Sequence, residues 1–397
     1  MEYTTPSLDV NLNPDGFVVD LDSLYAAFAH LHDSRHARGL RYGLVTVLVY
    51  LVLAKLAGQD RVSGIAQWVK HRRTALAEAL QLVEPRAPCV NTYRTILGQV
   101  LAVEEFEQVV HDFFAAQPNA GQSLVIALDG KTLRGTIPTG QQYGRHLLAA
   151  YLPGEGWVLC QVEVGRQENE ITAAPRLLKC LDLRDKVVTG DAMFAQRELS
   201  VQIVEAGGDY VWTVKDNQAA LRQDIETLFQ PEATVKGFSP TPKNLRTAQT
   251  IEKQHGREER RTLTASSDLK GYLEWPTAEQ VFKLERQVKR VADGKVTQEV
   301  VYGITSLTAQ EARPAQLLAI VRAHWGIENG LHYRRDETLR EDWCHLKKSE
   351  APRAMAAINN LIIGLVRRLG YTNLPEARRY FDAHPKEAQR VVLLRLS

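Results

Sequence analysis

Short apolar segments of strand length alternate with helical segments in the middle of the chain, and this order constrains the fold most. Three apolar runs come first, at 124–130, 146–152 and 157–165. A helix, a strand, a helix and a strand follow, at about 171–183, 186–192, 196–206 and 209–215. Two hairpin-linked strands followed by alternating helices and strands predict a mixed sheet that is covered by helices.

The segments on either side of this core have different patterns. Residues 1–118 carry apolar side chains at helical spacing, whereas strand-like alternation returns between about 232 and 307, with an Asp293-Gly294 hairpin turn. Long helices are predicted at about 308–335, 351–369 and 375–393. We therefore expect an α/β fold, with a helical N-terminal domain at 1–118 and a second domain at 119–397 that contains the β-rich insertion.

The apolar run at 42–58 is the only stretch that invites a membrane interpretation. Lys55 interrupts it before the roughly 20 residues that a bilayer span requires, so we interpret the run as a buried helix and expect no membrane partner. The four cysteines form no CxxC pair and no zinc spacing, which favours a reducing, cytoplasmic location. The formal charge of +2 does not by itself identify nucleic acid as a partner.

Two of the apolar strands end in a carboxylate. Asp129 follows the run at 124–128, and Asp191 follows the run at 186–190. Ligands collect beyond the carboxyl ends of strands in α/β sheets, and carboxylates brought together there repel each other unless a cation such as Mg²⁺ or Mn²⁺ lies between them. For either residue alone a turn aspartate is the simpler interpretation, but for the pair we favour a metal site.

A third acid lies in the predicted helix of the segment VRAHWGIENGLHYRRDETLRED. His324, Glu328, His332 and Arg335 are spaced to share one helix face, beside apolar residues, so this face is predicted to point inward. A buried acid needs a partner, and a metal held by the two aspartates would be one. Alternatives are a zinc site of the two histidines with Glu328, and a structural ion pair of Glu328 with Arg335 or Lys131.

Two aspartates and one glutamate around two divalent ions can support phosphoryl transfer on DNA without a serine, tyrosine or cysteine nucleophile. One ion activates a water or a 3′-hydroxyl, and the other stabilises the leaving oxygen. If Glu328 is not the third acid, the nearby substitutes are Asp336, Glu337 and Asp342.

Several motifs occur together from about residue 30 to residue 370. They are HDSRHARGLRYGLVTVLVYLVLAKLAGQDRVSGIAQWV, IALDGKTLRGT, GRQENEI, VVTGDAMFAQRELS, GGDYVWTVKDNQAAL, HGREERRTL and RAHWGIENGLHYRRDETLRED. Each is weak alone, but in this order the chain resembles bacterial insertion-sequence transposases of the DDE class, specifically the H-repeat-associated (ISAs-type) group.

The resemblance implies a ribonuclease H-like catalytic domain, with a β-rich insertion before the helix that carries the last acid. It implies a catalytic, metal-binding triad of Asp129, Asp191 and Glu328 that holds two Mg²⁺ or Mn²⁺ ions. The DNA contacts that it implies are Lys131, Arg134, Lys215, Gln218, Trp325 and His332, and we add Arg335 from the same segment.

These observations predict a DNA transposase that hydrolyses phosphodiester bonds at element ends and joins the 3′-hydroxyl to target DNA. Its partners would be double-stranded DNA with terminal inverted repeats, target DNA, and a second copy of the chain, because two ends must be handled together. The alternatives are a domesticated or non-transposing nuclease on the same scaffold, and a non-catalytic DNA-binding protein.

The helical N-terminal domain carries basic residues that favour DNA binding, although a purely structural cap is nearly as good an interpretation. These residues are Arg35, Arg38, Arg41, Lys70, Arg72 and Arg73.

Overall fold

The computed structural model forms two compact units. Unit 1 comprises Met1–Gln122, Lys131–Glu163 and Glu328–Ser397, and unit 2 comprises Ser123–Gly130 and Val164–Ile327. The residues that the structure describes are 20–36, 40–118, 120–231, 243–254, 256–344, 346–347 and 349–394. The beginning of the predicted insertion, at about residue 232, and Arg38 lie outside this set.

The helices and strands occur in the predicted order. The helices are α1 (Leu24–Ala29), α2 (Leu44–Leu56), α3 (Val62–Ala79), α4 (Val90–Thr95), α5 (Val103–Ala115), α6 (Glu170–Leu178), α7 (Arg197–Glu205), α8 (Ala219–Phe229), α9 (Pro314–His324), α10 (Ala351–Arg368), α11 (Leu374–Ala383) and α12 (Pro385–Leu393). The strands are β1 (Val125–Leu133), β2 (Arg145–Leu152), β3 (Trp157–Val164), β4 (Val187–Gly190), β5 (Asp209–Val214), β6 (Arg246–Gln254), β7 (Arg257–Ser266), β8 (Gln280–Arg290) and β9 (Val296–Thr305).

Unit 1 is built around two buried helices. Helix α2 is apolar on all sides, and it packs against α1, α3, α10, α11 and α12, so its apolar surface is covered by protein. Helix α10 is buried along almost its whole length and also packs on α5. The run at 42–58 is therefore a core helix, and no helix among the described residues is long and apolar enough to span a bilayer.

Unit 2 is a mixed sheet with helices packed on it. Strands β1, β4 and β5 are parallel, β9 pairs antiparallel with β5, and β8, β7 and β6 continue the sheet as antiparallel neighbours. Helix α9 packs on β4 to β7, and α8 packs on β8 and β9. In unit 1, the hairpin of β2 and β3 adjoins the last residues of β1, in the order β3-β2-β1.

The expected mixed α/β fold is confirmed, and so are its helical N-terminal and C-terminal regions. The strands predicted between 232 and 307 are present as β6 to β9. They do not form a separate sheet, because β9 pairs along β5 and so extends the central sheet.

Two helix boundaries differ from the predictions. The helix expected at 308–335 ends at His324 and is followed by π-helical turns at Glu328–His332 and Arg334–Thr338. The helix expected at 375–393 is two helices, since Pro385 begins a new one. The compact units follow another division, in which residues up to Gln122 cluster with the C-terminal helices in unit 1, and the domain boundary at residue 118 stays a prediction.

Candidate metal and DNA site

Asp129 and Asp191 lie next to each other at one edge of the sheet in unit 2. The register of the parallel strands β1 and β4 runs from the pair Val125 and Val187 to the pair Leu128 and Gly190, so the next residue on each side is an aspartate. Neighbouring strands are about 4.8 Å apart, so carboxylate side chains at equivalent positions of the two strands can reach one shared cation. Asp129 is half-buried, and its Oδ1 accepts a hydrogen bond of 2.9 Å from the Gly130 amide.

A histidine from α9 holds the Asp191 carboxylate. Nε2 of His324 lies 3.5 Å from Oδ1 of Asp191, and its Nδ1 lies 3.4 Å from the Thr189 hydroxyl. The hydrogen bond from His324 lowers the pKa of Asp191, and the charges of His324 and Lys215 add to this effect against the opposing effect of burial. Asp191 is therefore an exposed, ionised carboxylate with a fixed neighbour.

The turn after Asp191 is anchored by the segment that follows β5. Nδ2 of Asn217 donates to the Ala192 carbonyl at 2.7 Å, and Nε2 of Gln218 donates to the Ala195 carbonyl at 3.0 Å. Gly190 is required here, since a Cβ at this position would lie 2.7 Å from the Phe194 ring. Gln218, expected at the DNA, thus has a structural role in holding the loop that carries Asp191.

Glu328 is placed differently from the expectation. It is exposed, and it is the first residue of the last segment of unit 1, whereas the two aspartates belong to unit 2. The prediction that Glu328, His332 and Arg335 share one inward face holds for His332 and Arg335, which are buried, but not for Glu328, which is exposed. The chain is π-helical from Glu328, and its wider turns remove the four-residue periodicity of an α-helix.

Two residues expected to contact DNA are instead buried in ion pairs of unit 1. Nζ of Lys131 lies 2.6 Å from Oδ2 of Asp336. Arg335 is fully buried, and it donates to both carboxylate oxygens of Glu341 at 2.8–3.0 Å. Both assignments to DNA are corrected, because a guanidinium or ammonium that is enclosed with its own carboxylate cannot face a phosphate.

The same ion pairs exclude the alternative in which Glu328 forms a structural ion pair with Arg335 or Lys131. The partners of Lys131 and Arg335 are Asp336 and Glu341, so the proposed structural pairing of either residue with Glu328 is wrong. Asp342, a substitute for the third acid, accepts a hydrogen bond of 3.2 Å from the Arg134 amide. Among the described residues, no three His, Cys, Asp and Glu side chains lie together as a metal-binding group, which applies to the zinc alternative and equally to the set of Asp129, Asp191 and Glu328.

Three of the residues expected at the DNA have exposed side chains. Trp325 is 56% exposed, the Arg134 side chain is 79% exposed, and Lys215 follows β5 on the surface. Lys215 and Trp325 belong to unit 2, as do the two aspartates, whereas Arg134 belongs to unit 1.

Sequence reasoning missed the role of His324. The sequence offered it only a zinc alternative with Glu328 and His332, and its contacts with Asp191 and Thr189 were not predicted because they span more than 130 positions. The available signal was its place four residues before Glu328 in the motif HWGIEN.

The sequence matches two family models along most of its length. Residues 120–365 match the transposase DDE domain, and residues 25–114 match the domain associated with it.

Curated relatives of similar length are found in Escherichia coli (strain K12). The chain is 32% identical to the "H repeat-associated putative transposase YhhI" over 88% of this chain and 91% of that one. It is 27% identical to "Putative protein YbfL" over the same shares. Among solved structures, the piggyBac transposase synaptic complex with hairpin DNA covers 94% of this chain and 76% of its own, at 11% identity and a TM-score of 0.44.

Proposed function

The chain belongs to the transposase DDE-domain family, and from this premise we propose that it is a divalent-metal-dependent transposase that cuts DNA at element ends and joins the freed 3′-hydroxyl to target DNA. The observation that carries the proposal is the adjacent placement of Asp129 and Asp191 at the ends of β1 and β4. Two carboxylates at such a position have no apolar packing role, and together they would offer oxygen ligands to a hard cation.

The donor set fits Mg²⁺ or Mn²⁺. Asp129, Asp191 and Glu328 would hold the ions, since all three offer carboxylate oxygens and these metals prefer oxygen ligands. Support for Glu328 is its chain position, four residues after the histidine that contacts Asp191. When bound, a pair of such ions activates the attacking oxygen and stabilises the leaving oxygen of a phosphodiester.

The protein's own residues prepare this site in three ways. His324 contacts the Asp191 carboxylate and lowers its pKa, which favours the charged form that a cation binds. Asn217 and Gln218 fix the turn that follows Asp191. Lys215 and Trp325, exposed in the same unit, offer a cation for a phosphate and an aromatic face for a base.

The proposed partners are the terminal inverted repeats of an element, the target DNA and a second copy of this chain. Dimerisation follows from the reaction, because two element ends must be cut and joined together.

The proposal is tested by nicking and strand joining on DNA that flanks the gene, with Mg²⁺ or Mn²⁺. We expect Asp191→Asn and Glu328→Gln to reduce nicking to background, because each removes a negative charge at the metal. DNA affinity in a gel shift should stay near wild type, since it arises from Lys and Arg contacts with phosphates. Asp293→Asn, in the exposed turn between β8 and β9, is the matched control and should nick normally.

Each possible outcome of this experiment supports one of the alternative functions or contradicts the proposed site. Near-normal nicking by Asp191→Asn would contradict the metal site. Nicking without strand joining would assign the chain to the nucleases, and DNA binding without nicking would make it a non-catalytic DNA-binding protein. Normal nicking by Glu328→Gln with loss in Asp336→Asn, in a variant that still folds, would move the third ligand to Asp336.

A further inference from the structure

A short turn in unit 1 presents a tryptophan to solvent. Trp343 closes the 3₁₀ turn Glu341–Trp343 and is 65% exposed. Four of the six tryptophans, Trp68, Trp157, Trp212 and Trp275, are buried instead. A single exposed aromatic residue is common on protein surfaces, so its exposure alone assigns no role.

The support under Trp343 distinguishes it from an ordinary surface residue. Glu341, two positions earlier, is buried and receives hydrogen bonds from Arg335 and from Nδ2 of Asn359, the latter at 2.8 Å. Burial alone would raise the pKa of Glu341, but the charge and hydrogen bonds of Arg335 outweigh it and hold that pKa below its usual value. The turn therefore rests on a permanently charged, enclosed ion pair.

The backbone before the turn is strained. Arg340 has a φ of +50°, in the left-handed region that residues with a Cβ rarely adopt. Such conformations persist where the surrounding structure enforces them, and they cluster at functional sites. Here the conformation leads the chain from an exposed arginine into the buried Glu341 and out again to Trp343.

A cationic side chain approaches the residue next to Trp343, since Nε of Arg134 lies 3.9 Å from Oδ2 of Asp342. The Arg134 amide donates to Oδ1 of Asp342 at 3.2 Å, and its side chain is 79% exposed. The two loops touch, because a Cβ on Gly135 would lie 2.8 Å from the Cys344 carbonyl. Arg340 and Lys347 are exposed on the segment that carries Trp343. The exposed residues Arg134, Arg340, Trp343 and Lys347 of these two touching loops are together called the Trp343 surface below.

We propose that the Trp343 surface binds unpaired DNA, with one nucleobase stacked on the Trp343 ring and the neighbouring phosphate on Arg134. A flat ring accepts any base by stacking, and surrounding cations contact the backbone, which is the combination that single strands require. A rigid support adds affinity, because the ring loses little freedom on binding. The inference rests on the proposed function, since cutting and joining expose unpaired nucleotides near the reacting ends.

The test measures affinity for fluorescently labelled DNA by the full-length protein, without divalent metal so that no cleavage occurs. The probes are a single strand, a duplex with an unpaired overhang and a blunt duplex of equal length. We expect Trp343→Ala to bind the first two about 5- to 150-fold more weakly and the blunt duplex within about twofold of wild type. Trp343→Phe should keep most of the affinity, because it retains an aromatic face.

A matched control is Tyr272→Ala, which removes an exposed aromatic side chain from a turn of unit 2. It should leave all three affinities unchanged. Tryptophan fluorescence gives a second readout: single-stranded DNA should quench the wild type, and Trp343→Phe should lose the part of that quenching that Trp343 contributes beside the other exposed tryptophan, Trp325. Because Trp343 is exposed, the thermal midpoint of Trp343→Ala should match the wild type.

Unchanged single-strand affinity in Trp343→Ala overturns the proposal. So does a change in oligomeric state by light scattering with unchanged DNA affinity, which would identify a protein-binding surface instead. An equal loss on the blunt duplex also overturns it, because the residue would then not select unpaired DNA. The transposase proposal fails separately, through normal nicking by Asp191→Asn, while the metal-free affinities remain interpretable.

Discussion

At the scale of single residues, His324 determines the state of the Asp191 carboxylate. It contacts Asp191 with one ring nitrogen and Thr189 with the other, so the ring is held from both sides. Groups that orient a metal ligand typically contribute 10- to 100-fold to metal affinity. In the proposed metal site, His324 would be a positioning residue that acts on the metal through Asp191.

We expect His324→Ala to weaken Mn²⁺ binding by roughly 10- to 100-fold while DNA affinity stays unchanged, because the variant frees the Asp191 carboxylate without removing a ligand. His324→Gln should retain part of the affinity, since its amide can still donate. Calorimetric titration of Mn²⁺ measures this independently of activity, with His71→Ala on the exposed side of α3 as control. Equal Mn²⁺ affinity in His324→Ala and the wild type would contradict the positioning role.

At the scale of elements, the π-helical segment after Glu328 is fixed by buried charges. Arg335 and Glu341 are enclosed together, and Lys131 from β1 pairs with Asp336 in the same segment. Wide π-helical turns are less favourable than α-helical ones, so their persistence at 328–332 and 334–338 requires such tertiary contacts.

Arg335→Met should destabilise the protein by about 3–5 kcal/mol, because it leaves the Glu341 carboxylate buried without its counter-charge. Replacing both partners, as Arg335→Met with Glu341→Leu, should recover part of this loss, since no unpaired charge then remains. Urea unfolding measures the effect, and Arg379→Met, on an exposed position of α11, is the control. If Arg335→Met were as stable as the control, the ion pair of Arg335 and Glu341 would not be needed for the stability of the fold.

At the scale of the whole molecule, the N-terminal helices are part of the core of unit 1. Arg378 of α11 donates to the Lys55 carbonyl of α2 at 3.0 Å and to Asp60 at 2.6 Å. Arg353 of α10 lies 2.9 Å from Glu107 of α5. Deleting residues 1–118 would expose these buried surfaces, so substitutions test DNA binding by this region more cleanly than a truncation.

The basic side chains available for such a test include Arg41, before α2, and exposed residues of α3. Lys70 and Arg73 are exposed, whereas Arg72 stacks on Trp68 with its guanidinium 4.6 Å from the ring centroid, and Arg35 is paired with Asp33. If this region binds DNA, Lys70→Ala with Arg73→Ala should flatten the salt dependence of DNA affinity by about 1.8 in log–log slope, because each lost phosphate contact contributes about 0.9.

The control for this pair is Arg166→Ala with Lys179→Ala, two exposed basic residues of unit 2. Identical slopes for the α3 variant and the wild type would favour the purely structural interpretation of the N-terminal helices.

The sequence by itself determined the features that depend on neighbours along the chain. Apolar periodicity located the strands, and an aspartate after two of them predicted the meeting of Asp129 and Asp191, because parallel strands end at one edge. The partners of the residues near Glu328 could not be predicted in this way, because they come from distant segments of the chain. Lys131 and Asp336 are 205 positions apart, and His324 and Thr189 are 135 positions apart.

Only the tertiary structure could decide which charges face solvent. Arg134 and Arg335 are equally basic in the sequence, yet one is exposed and the other is enclosed with Glu341. The physical reason is that burying a charge is favourable only beside a suitable partner, and the partner is supplied by packing rather than by the local pattern. The prediction from α-helical spacing that Glu328 shares one inward face with His332 and Arg335 was also incorrect. Tertiary contacts hold that segment in wider turns than those of an α-helix.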